Sequence, residues 1–310
     1  MKYTKQALSF TDQVDKLESR GLIINNRDSA INTLSGVSYY RLRAYTYPFQ
    51  DNEDPDHSFS QEIDFNSIIS LYRFDQKLRM LVFDAIEKIE VALRTQIIYQ
   101  FAMSYGSHWQ IDRDLYKPPF KNKEDEEIDF FVIHMKTLDY EIERTNETFI
   151  EHYFDKYNDP ETPPSWMSLE VASMGTLSKI YKSLNTCNAK KKVAKNFGLP
   201  NPYILENWIL SFTHLRNTCA HHSRLWNRRL TTNIEFPRNT KNMFYKQPEI
   251  SQLLPYKLFA SLLAINYILK SIDSNSNFHT KLKELMQECP LNQETAMGFP
   301  NDWDSHPFWN

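Results

Sequence analysis

The segment from Asp64 to Ser104 reads DFNSIISLYRFDQKLRMLVFDAIEKIEVALRTQIIYQFAMS. In it Leu71, Phe74, Leu78, Leu81, Ala85, Ile89 and Ala92 recur at three- and four-residue steps, which puts them on one face of a helix. The spacing predicts a single long helix, stopped by Gly106. Working outward, similar patterns predict helices from about Thr11 to Arg20, stopped by Gly21, and from an Asp28 cap to Gly36. Acidic amphipathic segments fill 126–157. Further helices are expected over Trp166–Leu184, Tyr203–Trp226, Tyr256–Ile272 and Asn277–Glu288. The two short N-terminal helices around a Gly-Leu turn suit a plain packing module better than a DNA-reading helix-turn-helix. Polar or proline-broken stretches at 51–62, 160–164 and 231–254 read as connections. No alternating strand pattern is evident. Six glycines in 310 residues are few for a fold of many tight turns. The fold class expected is therefore all-α, one compact unit with an N-terminal helical extension.

Composition excludes several classes. At 41% hydrophobic and 24% charged the chain is that of an ordinary globular protein. Cys187, Cys219 and Cys289 form neither a CxxC pair nor a zinc spacing, so they read as reduced thiols in a cytoplasmic protein. The start, MKYTKQALSF, lacks a signal-peptide core. The apolar run Leu258–Leu269 is too short to span a bilayer, which takes about 20 residues. No Gly-rich phosphate loop supports a nucleotide-binding regulator. Net charge is only −3, but it is unevenly spread. Residues 121–161 hold 13 acids and 5 bases, and residues 179–230 hold 10 bases and one acid, Glu206. One basic face, or an acidic segment packed beside a basic one, explains this equally well.

The chemistry-bearing stretch is Trp208-Ile-Leu-Ser-Phe-Thr-His-Leu-Arg-Asn-Thr-Cys-Ala-His-His-Ser-Arg-Leu-Trp-Asn-Arg-Arg229. On a continuous helix Trp208, Phe212, Leu215, Cys219, His222 and Trp226 fall within about 40° of one line. That stripe makes His222 a hydrogen-bonded core histidine. The opposite face gathers His214, Asn217, His221, Arg224 and Arg228, with Arg216 on the flank. Such a face suits a phosphate-bearing substrate. RNA cleavage by the neighbouring 2′-hydroxyl needs a proton acceptor or donor near neutral pH, which His221 supplies. It needs positive charge where the phosphorane develops, which Arg216 supplies. Asn217 helps to hold the phosphate in line. Neither metal nor cofactor is required, and the products are a 2′,3′-cyclic phosphate and a 5′-hydroxyl. Arg216 and His221, however, are about 140° apart on an ideal helix. Either the helix is distorted or the site is composite; we prefer the composite site, a symmetric homodimer with the two polar faces meeting.

Other residues carry weaker signals. Glu90 and Arg94 form an i,i+4 pair with Glu87 on the same face, a structural salt bridge first and a support for the site second. Lys190, Lys191 and Lys192 with Lys195 are a phosphate-tracking cluster or a solvated lysine patch. Glu170 is expected to pair with a cation of the basic segment. His108-Trp109 reads as packing or capping. Tyr39, Tyr40, Tyr45 and Tyr47 default to packing, with base stacking as the alternative.

Arg216-Asn-Thr-Cys-Ala-His221 resembles the motif of the HEPN superfamily: Arg, a polar residue, three to five residues, then His. The extended string Leu215-Arg-Asn-Thr-Cys-Ala-His-His-Ser-Arg-Leu-Trp-Asn-Arg228 looks like the signature of Abi (abortive-infection) proteins of the AbiD/AbiF type. Further blocks agree in order: Tyr39–Tyr45 with Tyr47-Pro-Phe49, Phe74–Arg79 with Asp84–Thr95, Tyr105–Trp109, Pro164–Glu170 with Gly175–Ser178, and Met297–Trp303. The resemblance covers about residues 20–305. It implies an N-terminal helical extension (1–50), a HEPN-like helical core (51–290) and an aromatic tail packed on that core (291–310). It also implies antiphage defence by RNA damage, Arg216, Asn217 and His221 as motif residues, a dimer, and RNA as partner, including a small structured RNA as antitoxin. DNA and membrane are not expected partners. The alternative is a non-catalytic RNA-binding protein that senses phage or is held by a small RNA.

Overall fold

The computed structural model describes residues 2 and 6–310. It is all-α among those residues, and the long helix is its axle. In chain order the elements are α1 (Phe10–Ser19), α2 (Arg27–Gly36), α3 (Tyr39–Thr46), α4 (Phe65–Tyr105), a hairpin of β1 (Phe120–Lys121) and β2 (Glu127–Ile128), α5 (Phe130–Glu143), α6 (Thr148–Lys156), α7 (Ser165–Ser168), α8 (Met174–Ser183), α9 (Asn188–Asn196), α10 (Pro202–Ala220), α11 (Gln247–Ile250), α12 (Leu258–Ile272) and α13 (Phe278–Gln287). Asp64 starts α4 by accepting from the Ser67 amide (3.0 Å) and hydroxyl (2.6 Å). Gly106 ends it at φ 92°. Leu71, Phe74, Leu78, Ala85 and Ile89 are buried along it, and α3, α8, α9, α10, α12 and α13 pack around it. The run Leu258–Leu269 is buried on every side as α12. No helix among the described residues is long and apolar enough to cross a membrane.

The C-terminal tail is tied to this body. Trp303, Phe308 and Trp309 are buried; the two indoles meet edge to face at 5.1 Å, and Trp309 lies 5.8 Å from Phe259 of α12. Gly298, at φ 86°, lets this tail approach, since a Cβ there would stand 2.6 Å from Cβ of Lys257. The acidic and basic segments do touch: His134 of α5 shares a hydrogen bond of 2.8 Å with the Ser183 hydroxyl of α8. Glu141 of α5 accepts from the Ser173 amide (3.2 Å) and Thr176 hydroxyl (3.0 Å) at the start of α8, a carboxylate at a helix N-terminus.

Four expectations need correction. The second helix is capped by Asn26, whose side chain accepts from the Ser29 amide at 2.9 Å, rather than by Asp28. The stretch 166–184 is two helices, because Ser173 caps a new start at Met174. A two-residue hairpin exists at 120–128. The helix expected to reach Trp226 ends at Ala220. There the chain closes with His222 at φ 54°. Its amide donates to Cys219 O (3.0 Å), and the Ser223 amide donates to Thr218 O (3.0 Å). That is the paired closure in which glycine usually takes the left-handed residue.

Candidate functional site

The early end of α10 rearranges the expected face. With the chain turned at His222, helical angles no longer apply beyond Ala220. His222 is exposed rather than part of the buried stripe. Its carbonyl accepts from Arg41 Nη1 at 2.7 Å. Leu225 and Trp226 are driven inward, and the Trp226 indole lies near-parallel to the rings of Tyr45 and Phe49, each 6.2 Å away.

What pins this turn is a residue that sequence reasoning did not single out. Asp75, fully buried in α4, accepts from the amides of Leu225 (3.1 Å) and Trp226 (2.6 Å), from Tyr45 Oη (2.6 Å) and from Arg79 Nη1. Burial pushes its carboxyl above the usual range, against the pull of Arg79, the Tyr45 hydroxyl and the two amides. A carboxylate on the apolar stripe, four residues after Leu71 and three before Leu78, was the available signal. Charges in such positions are kept only when paired.

Around this anchor the candidate residues fall into two groups. The first lies at the end of α10. Arg216 is about one-third exposed, with Nε 3.9 Å from Glu90 Oε2 and Nη1 donating to Asn217 Oδ1 at 3.3 Å. His221 is exposed, and its imidazole has no partner among the described residues. Its amide donates to Asn217 O at 3.0 Å. Glu90 also accepts from Arg94 Nη2 at 3.0 Å. Arg94 in turn donates to the Glu170 and Ala172 carbonyls (3.1 and 2.9 Å). The Glu90–Arg94 pair is therefore both structural and in contact with Arg216. Glu170 approaches Arg94 (3.8 Å), not a cation of the basic segment. An open cavity of ≈ 830 Å³ lies beside this end of α10, with His222, Arg41 and Glu87 on its walls.

The second group is turned to other tasks. Arg224 Nη1 donates to the Ala44 carbonyl, and its guanidinium sits 5.7 Å from the Trp226 ring; burial lowers its pKa. Arg228 donates to Arg224 O (3.4 Å). His214 Nδ1 faces the hydroxyls of Thr232 (2.8 Å) and Thr231 (3.2 Å), and burial lowers its pKa. The lysine run divides. Lys190 is fully buried, pairs with Glu206 at 2.8 Å and donates to Leu184 O at 2.7 Å, so neither a solvated nor a phosphate-tracking role fits it. Lys191 and Lys192 are exposed on α9. Burial pushes the Cys219 thiol up to about 12, which rules it out as a nucleophile at neutral pH.

Fold and site together define an all-helical protein that presents Arg216, Asn217 and His221 at the exposed end of one helix, backed by the Glu90–Arg94 ion pair on another. The profile of the Abi-like protein family matches residues 32–227, more than half of the chain, and the chain belongs to that family. Membership supports a role in abortive infection. The match runs from α2 through the Trp226 turn and so takes in Tyr45, Asp75 and the whole end of α10. No curated protein and no solved structure matches the chain.

Proposed function

We propose that the protein is an abortive-infection endoribonuclease of the HEPN type, of the AbiD/AbiF branch, that cuts RNA without a metal. The observation that carries this reading is a free, exposed His221 imidazole at the same helix end as the hydrogen-bonded Arg216 and Asn217, beside an open cavity. His221 accepts the proton of a ribose 2′-hydroxyl as that oxygen bonds to phosphorus. The phosphorus–O5′ bond breaks, and the leaving 5′-oxygen takes a proton from water. Arg216 neutralises the charge that grows on the non-bridging oxygens, and Asn217 holds its guanidinium. Since α10 runs unbroken to Ala220, no distortion within it swings Arg216 and His221 to one side. A composite site made by two copies, Arg216 of one facing His221 of the other, answers that geometry. Growth arrest on infection follows from RNA damage, and a small structured RNA is a candidate restraint.

Purified protein incubated with RNA in EDTA tests this directly. Cleavage leaving 2′,3′-cyclic phosphate ends is expected, falling by about a hundredfold or more in His221→Ala, with an unchanged circular dichroism spectrum because the side chain is exposed. Cutting that persists in His221→Ala removes His221 from the mechanism. Binding of RNA with no cleavage at any protein concentration hands the protein to the RNA-binding alternative.

A further inference from the structure

The cavity beside the motif has a chemistry of its own. Glu87 precedes Glu90 by one turn of α4, and Ala220, on the cavity wall, follows Arg216 by one turn of α10. The cavity thus begins about 5.4 Å along from the Arg216–Glu90 contact, one helical rise and within the span of a single nucleotide. Its walls combine the ring of Tyr72, the thioether of Met80 and the ring of Phe83 with the polar ends of Arg41, Gln76 and Glu87. Met80 and Phe83 are 67% and 38% exposed, apolar surface that an isolated helix face does not need. Arg41, on the wall, spends Nη1 on the His222 carbonyl, which leaves the other donors of its planar fork for a ligand. The hydroxyl of Tyr72, the amide of Gln76 and the carboxylate of Glu87 have no hydrogen-bond partner among the described residues. Asp84, also on the wall, is different: its carboxylate is taken by Lys88 at 2.9 Å.

A cation, exposed apolar side chains and an unpaired acceptor on one wall are what a nucleotide requires: phosphate, stacked base, read edge. We propose that this cavity is a base-recognition subsite that takes the nucleotide next to the phosphate held at Arg216, and that it prefers guanine. Guanine is selected because its Watson–Crick edge presents two adjacent donors, N1–H and the 2-amino group, which one carboxylate accepts together. Adenine, cytosine and uracil each interrupt that edge with an acceptor. Phe83, one turn before Glu87 on α4, stacks on the ring, and Arg41 meets the phosphate. The placement rests on the reading of Arg216 as the phosphate-holding residue; the pocket itself does not need cleavage to occur.

Titration of the full-length protein with GMP, AMP, CMP and UMP, followed by calorimetry, tests the subsite without RNA cleavage. GMP is expected to bind about tenfold more tightly than the other three, the discrimination of one bidentate contact. Glu87→Gln, an exposed position that folding tolerates, is expected to erase that preference while leaving AMP binding unchanged. Equal binding of the four, binding of none, or a GMP preference that survives Glu87→Gln overturns the proposal. Phe83→Ser that keeps GMP binding but loses self-association also overturns it, and gives this face to a second copy of the chain. A protein that selects GMP through Glu87 yet never cuts RNA keeps the subsite and loses the nuclease. One that cuts RNA and ignores GMP does the reverse.

Discussion

Two ion pairs with the same i,i+4 spacing lie about four turns apart on α4, and they are built for opposite ends. Asp75–Arg79 is sealed: the carboxylate is fully buried, receives Tyr45 and two backbone amides besides arginine, and fixes the chain just after α10. Glu90–Arg94 is open. Each member is partly accessible, and the second oxygen of Glu90 stands 3.9 Å from Arg216, too far for a tight bond. The sealed pair spends all its capacity on structure, whereas the open one leaves Arg216 with guanidinium donors to spare. The stretch that looked like one helix in sequence divides along the same line. Up to His221 it keeps one face, with Arg216, Asn217 and His221, open to solvent; from Arg224 onward it is tied to Ala44, Asp75 and the N-terminal aromatics.

The comparison breaks if the two pairs respond alike to truncation. Asp75→Ala leaves two buried amides without an acceptor and Arg79 with only the Tyr45 hydroxyl, and is expected to cost about 3–5 kcal/mol of stability. Glu90→Gln keeps the shape and a hydrogen-bonding group at a partly wet site, and is expected to cost less than about 1 kcal/mol. Urea unfolding of both variants reads the contrast, and equal losses would refute it.

A pH titration sharpens the picture at a second buried polar contact. His134 of α5 shares a hydrogen bond of 2.8 Å with the Ser183 hydroxyl and is 5% exposed. Burial drops its pKa from 6.5 to about 4. Above pH 6.5 the imidazole is neutral in folded and unfolded chains, and the contribution is whole. Between pH 6.5 and 4 the unfolded chain takes up a proton that the folded one refuses, so stability falls by up to about 3 kcal/mol. Below pH 4 both are charged and the loss levels off. Urea midpoints measured across that range are expected to fall in the wild type and to fall less in His134→Gln.

Much of this molecule was legible in the amino-acid order. The axle α4 was fixed by its Leu71–Ala92 repeat and its end at Gly106, and α12 by an apolar run too short for a membrane. Arg216, Asn217 and His221 were singled out as candidates by a polar helix face and an Arg-polar-x3-His pattern, not by the helix end at which they stand. The stop at Ala220 was not visible, since no glycine or proline stands between Cys219 and Leu230; His222 adopts the left-handed turn instead, held by amides that reach Asp75 about 150 positions earlier. Helix α9 escaped because its buried stripe, Ala189, Val193 and Ala194, is thin and includes Lys190, whose partner Glu206 sits on another helix. The cavity combines Arg41 of α3 with side chains of α4 and the end of α10, a convergence that no local pattern encodes.

Mixing two inactive variants tests the shared site most directly. Arg216→Ala and His221→Ala are each expected to be inactive alone. Unfolded and refolded together, they should pair at random, so that roughly half the dimers are mixed and each mixed dimer keeps one intact site of two. The account predicts recovery of about a quarter of wild-type RNA cleavage by that pairing. A mixture as inactive as its components, beside an active wild type, would contradict it.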